Sequence, residues 1–351
     1  MFLKRDLKQL GIEVTKKVED EKIIELARQV ATKLTAVFPK NNISYLEIYR
    51  ILLSTPMYYA NISGEMSEAN YYYKNSTIYF SEQAQLEKIN EYIFHECIHK
   101  IQEHRDKKGN LTRMGLCEIN EISVKAMALN EAAIQYIVSK ALQNSKELVT
   151  IYDITLPTRT EYYPIITNLI AQIVYLIGEE VLVDSTINSN EDFKIEIIDN
   201  LGEDTFYYLE KSFNEILRAK NNILELQQKN DDTQENINKI LENMQNIKRL
   251  YIETQNQIFT SFFENQFKRI ETVEEVSTLR RTLYSYRSLI GTTIGYDFFN
   301  SYCIDLDMRA REKAEQIKIN TSLAIVNDNK ILRFIRKIKR MLLGTQNEYN
   351  K

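Results

Sequence analysis

Two of the three histidines in the chain stand four residues apart with a glutamate directly after the first, in His95-Glu96-Cys97-Ile98-His99. This is H-E-x-x-H. On a helix turning about 100° per residue, positions four apart are separated by only about 40°, so both imidazoles reach one ion. Glu96 projects from the same side, within reach of a water that the ion would polarise. The expected chemistry is hydrolysis with one Zn2+ per chain. Cys97, at an x position, points away from the ion and reads as packing.

Hydrolytic zinc usually takes three protein ligands and keeps a fourth position for water. His104 makes a poor third. Five residues beyond His99, it would lie about 140° further round the same helix, and it reads as a surface histidine. The third ligand must then be an aspartate, a glutamate or a cysteine. Glu131, in Ala128-Leu129-Asn130-Glu131-Ala132-Ala133, is the best placed, flanked by small residues that let two helices approach closely. Glu118 and Glu121 are its rivals.

The motif followed by Asn130-Glu131-Ala132 resembles the gluzincin zinc metallopeptidases, the thermolysin-like enzymes, over residues 70–140. That resemblance implies a zincin-like core in which His95, His99 and Glu131 hold zinc, Glu96 is the general base, and a peptide or protein is the substrate. It implies that Thr77, Ile78 and Tyr79 lie on an edge strand that pairs with an extended peptide. It also places Asn130 and Gln135 in support of the ligands. Here the chain departs from the family, because Gln135 stands where those enzymes carry an aspartate that orients a zinc-binding histidine. A Tyr, His or Arg often completes such sites as oxyanion donor, and Tyr162, Tyr163 and Arg159 follow the Glu131 segment. The alternative functions are a non-catalytic protein on a peptidase scaffold, with its C-terminal helices binding a partner, and a toxin-type protease.

Positioning these residues falls mainly to helices. Among 351 residues there are only nine glycines and four prolines, which favours long helices over a many-stranded sheet. The expected class is mainly α (α+β), with a short β-hairpin or edge strand at 70–80 before the active-site helix. Helical spacing runs over 20–37, 44–54, from Ser81 to about Arg105, from Glu118 to Leu142, and from Ile165 to Leu176. After a weakly patterned stretch at 183–202 come an antiparallel helical hairpin and two capping boxes, Asp232 with Glu235 and Thr272 with Glu275. The division expected is a metallopeptidase core at 1–190 and a helical region at 191–351.

Residues 331–343 read as a basic amphipathic helix, suited to an anionic membrane surface or an acidic partner. The plainer reading is a terminal helix docked on the protein by Leu332, Ile335, Ile338 and Leu342. A net charge of −4 gives no electrostatic case for nucleic-acid binding. Cys97, Cys117 and Cys303 make no disulfide framework. Neither a secretory leader nor an apolar run of about 18 residues is evident. A cytoplasmic protein is expected, although non-classical export leaves no trace in a sequence.

Overall fold

The computed structural model describes residues 2–41, 43–63, 68–120, 123–229, 233–290 and 296–346. It is mainly α with some β. The chain forms two compact units, Met1–Phe262 with Tyr286–Tyr296, and Phe263–Ser285 with Asp297–Lys351.

The first unit opens with α1 (Phe2–Gln9), β1 (Ile12–Lys17), α2 (Asp20–Val37) and α3 (Tyr45–Leu53), followed by β2 (Met57–Ile62), β3 (Ala69–Tyr72), β4 (Thr77–Ser81) and α4 (Glu91–Ile101). The strands make one sheet in the order β1-β2-β4-β3, with β2 and β4 parallel and the other pairs antiparallel. Next come β5 (Glu103–Arg105), β6 (Leu111–Met114), β7 (Cys117–Ile119) and β8 (Val124–Lys125), a second sheet. The hairpin of β9 (Glu147–Ile151) and β10 (Ile154–Thr158) follows α5 (Met127–Ala141). The rest is helical: α6 (Pro164–Ile177), α7 (Glu179–Asn188), α8 (Asp192–Leu201), α9 (Glu203–Gln228) and α10 (Gln234–Arg269).

The main core lies where α2, α4 and α5 meet the first sheet. Leu26, Val30 and Leu34 pack there with Phe80, Phe94, Ile98, Ile134 and Ile137, all fully buried. Because α4 is buried along most of its length, its polar motif residues are carried into the interior with the apolar ones.

The helix expected from Ser81 begins only at Glu91, where the Asn90 side chain accepts from the Ile93 N–H at 3.0 Å. Leu86 and Ile89 instead reach the core from turns. At the other end Gln102 caps the helix, and the chain reverses into β5. The helix expected from Glu118 begins at Met127. Asn120 accepts from Ser123 N–H, and Ala126, at φ 55°, breaks any helical continuation from upstream. The β9–β10 hairpin was not expected. Its turn places Tyr152 and Asp153 at φ 50° and 58°, the twist that two-residue hairpin loops require.

The helical hairpin is α9 and α10, antiparallel because Asn236 bonds Leu226 O near the turn while Thr205 meets Ser261 at the far end. Asp232 lies outside the described residues, and Thr233 accepts from the Asn236 N–H there. The units divide within α10, not at 190/191. Glu210 and Asn214 of α9 accept from the Ala126 and Ala128 N–H groups at the start of α5, at 2.8 and 3.2 Å, so residues beyond 191 complete the core.

The second unit holds α11 (Val273–Tyr286) and α12 (Tyr296–Gln346). Its buried apolar side chains, among those described, include Phe263, Val276, Leu279, Leu283, Phe299 and Leu306. The Thr272–Glu275 capping box is present, with Glu275 accepting from Thr272 N–H at 2.9 Å and Thr272 Oγ1 accepting in return at 3.2 Å. Beyond Ala310, none of the described side chains of α12 is buried. Leu332, Ile335 and Ile338 are exposed, so they do not dock the terminal helix on the protein; the Leu342 side chain lies outside those described. No single helix among the described residues is long and apolar enough to cross a membrane. Only α6 and α7 together have that length and composition, and they meet at 118°.

Candidate metal centre

Helices α4 and α5 bring His95, His99 and Glu131 together, with one ligating atom of each within 4.8 Å of the others. His95 Nε2 lies 3.0 Å from Glu131 Oε2, His99 Nε2 lies 3.4 Å from Glu131 Oε1, and the two Nε2 atoms are 3.1 Å apart. Glu118 lies on β7 and pairs with Lys194 and Arg113. Glu121 lies outside the described residues. His104 sits exposed on β5, a surface histidine as expected but on a strand.

The protons show what this cluster lacks. Gln135 Nε2 donates to Glu91 Oε2 at 2.6 Å and to Thr160 Oγ1 at 2.5 Å, which turns its carbonyl oxygen toward His95 Nδ1, 3.1 Å away. His95 therefore carries its proton on Nδ1 and aims the Nε2 lone pair at a carboxylate oxygen and a second imidazole. Three electron-rich atoms facing one point need a cation between them. Without a metal that cation is a proton. Burial alone would lower the His95 pKa, but Glu131 holds it above the ordinary imidazole value. Burial would raise Glu131, yet the His99 and His95 imidazoles hold it far below the usual carboxylate range. Two imidazoles and a carboxylate are also an ordinary zinc donor set. The residues fit a divalent metal.

Glu96 is 2% exposed. Its Oε2 accepts from the Tyr71 N–H of β3 at 2.6 Å, and Oε1 is buried with no hydrogen-bond partner. Burial raises its pKa above the ordinary carboxyl range, against the opposing pull of His99, His95 and the Tyr71 N–H. A buried carboxylate with one anchored and one unpartnered oxygen is positioned to take a proton. His99 Nδ1 is likewise buried and unpartnered. The Tyr71 ring lies alongside that imidazole, stacked at 6.2 Å and 15°.

No family model, curated protein or solved structure matches the chain. Its site has to be read from its own geometry.

Three expectations change. Thr77, Ile78 and Tyr79 are not at an edge. They are buried in β4, which is bonded to β2 on one side and β3 on the other, so they cannot pair with a substrate. The edge strand beside α4 is β3. The Asn130 side chain is engaged away from the three candidate ligands. It accepts from Leu116 N–H at 3.0 Å and meets Gln102 at 3.3 Å, tying α5 to the end of α4. Arg159 is exposed and donates to Asn144 O, lining a separate cleft with Lys140, Lys146 and Glu179.

Tyr162 and Tyr163 do reach the cluster, with ring centroids 5.7 and 6.4 Å from that of His95. Tyr162 donates to Tyr163 Oη at 2.7 Å, and Lys220 Nζ of α9 lies 4.5 Å from the Tyr163 ring centroid. Tyr163 holds φ 52°, a sparsely populated conformation that places both rings immediately before α6.

Sequence reasoning missed Glu91, Thr160, Tyr71 and Lys220. Glu91 alone carried a signal. It lies four residues before His95, one helical turn away, so it sits over the same face of α4.

Proposed function

We propose that the chain is a zinc-dependent peptidase of gluzincin type, with His95, His99 and Glu131 holding the metal and Glu96 as general base. The observation that carries the reading is the convergence of two imidazole nitrogens and a carboxylate, with Glu96 on the same helix as the imidazoles, in electrostatic reach of all three and its Oε1 unpartnered. Zinc, when bound, supplies Lewis acidity and brings a water toward deprotonation near neutral pH.

The remaining roles belong to the chain. Glu96 Oε1 takes the proton from the attacking water and passes it to the leaving amine, while the Tyr71 N–H holds the other oxygen still. Tyr163 is the candidate oxyanion donor, because the hydrogen bond that its oxygen accepts from Tyr162 makes its own O–H a stronger donor. Gln135 keeps His95 in the tautomer that a ligand needs. An extended substrate would lie along β3, the edge beside the motif helix.

Metal analysis of the purified chain tests the reading. About one zinc per chain is expected, lost in His99→Ala and kept in Glu96→Gln. Cleavage of an unfolded protein or peptide should fall at least about 100-fold in Glu96→Gln. Unchanged cleavage would remove Glu96 as base. Stoichiometric zinc with no hydrolysis of any peptide would favour the non-catalytic alternative.

A further inference from the structure

Helix α12 continues for 36 residues after Ala310, the last buried among its described side chains, a length of about 54 Å. Most of that stretch is mixed in charge, but its end is not. Residues 330–343 contain six cations (Lys330, Arg333, Arg336, Lys337, Lys339 and Arg340) and no acid, in a chain whose net charge is −4. At about 100° per residue, Ile331, Phe334, Ile335, Ile338, Met341 and Leu342 fall within one arc about 120° wide, and the cations fall outside it. Ile331, Phe334, Ile335 and Ile338 are exposed, Phe334 at 64%. A helix that leaves such an arc in water gains nothing from being amphipathic. Among the described residues, nothing in the chain covers these four side chains of the arc.

We propose that residues 330–343 of α12 lie on an anionic lipid surface, apolar arc inward and cations among the headgroups. Charge complementarity selects that occupant. Six cations without a counter-charge match a sheet of anionic headgroups, and an aliphatic and aromatic arc beside them matches the acyl boundary. A partner helix of this same chain would bring six more cations to the interface. The segment lies on the surface and does not span, since cations flank the arc along its whole length.

Co-sedimentation of the full-length chain with vesicles decides the matter. The vesicles are neutral phosphatidylcholine alone, or the same lipid with about 30% phosphatidylserine. Binding to the mixed vesicles alone is expected, weakening as salt rises from about 50 to 500 mM. Replacing Arg333 and Lys337 by Gln should lower the partition coefficient about 25-fold, at about fivefold per cation. Phe334→Ser with Ile338→Ser should abolish binding at unchanged thermal stability, since neither side chain is buried. Equal binding to both vesicle types would overturn the proposal. So would no binding to mixed vesicles at low salt, or a dimer in solution that the Ser double variant converts to monomer.

Discussion

At the scale of single residues, the least expected feature is how the chain manages without an acid at position 135. The Gln135 amide accepts from His95 on one side and donates to Glu91 on the other, so a carboxylate reaches the imidazole through one intervening amide. Asn144 and Thr160 also reach Glu91, and burial raises its pKa. The amide cannot be rotated without setting two donors against each other. Gln135→Leu should therefore weaken zinc binding about 10–100-fold while His95 remains, as read by chelator competition. An unchanged affinity would mean that packing alone orients the ring. Glu103 makes a separate acid-side prediction. Burial alone would raise its pKa, but hydrogen bonds from Lys100, Ser76 and Tyr71 bring it down to about 2. A carboxylate whose folded pKa lies below its unfolded value contributes stability above the unfolded value, near about 4.3, and loses that contribution as pH falls toward the folded one. Denaturation midpoints should fall for the wild-type chain between about pH 4.3 and 2. Glu103→Gln should be less stable at pH 7 and lose less across that window; parallel curves for the two would refute this.

At the scale of elements, the site depends on how α4 and α5 are held, and a tight turn between β6 and β7 holds them. Gly115 sits at φ 59°, where a Cβ would lie 2.2 Å from Asn130 Oδ1 and 2.4 Å from Gln102 Nε2. Those two side chains link the helices, so the turn can pass between them only as glycine. Gly115→Ala should lower stability by about 1–3 kcal/mol and weaken metal binding as well, which calorimetry and zinc titration would register. A stability loss with unaltered zinc affinity would show that the helices keep their spacing independently of the turn. This layout also explains what the sequence disclosed. The motif on α4 and the small residues around Glu131 on α5 follow helical periodicity, a local property, so the grouping of His95, His99 and Glu131 was legible. The edge strand was not. Thr77-Ile78-Tyr79 has the composition of any strand, and its interior position follows from a parallel partner, Met57–Ala60, about twenty residues earlier. The starts of both motif helices were misplaced for the same reason. Leu86 and Ile119 fit the helical spacing, but Asn90 and Ala126 decide where the helices begin, through a side-chain cap and a left-handed residue.

For the whole molecule, division into two units has a thermodynamic consequence that metal binding exposes. All three candidate ligands, with Glu96, Tyr71 and Gln135, belong to the first unit. The second carries ion pairs within itself, Arg309 with Glu264 and Arg280 with Asp307, both at 2.5 Å. A ligand stabilises only what it binds. Zinc held at about 1,000 times its dissociation constant adds about 4 kcal/mol to the native state of the unit that contains the site, which for a unit of this size is about 10 °C in melting temperature. Scanning calorimetry of the full chain should therefore resolve two transitions, because compact units of one chain need not melt together. Adding zinc should raise one of them by about that amount and leave the other within about a degree. In His99→Ala neither should move. A single transition that shifts as a whole would show that the units unfold cooperatively. Movement of the second transition alone would place the metal elsewhere and remove the basis for the hydrolytic reading.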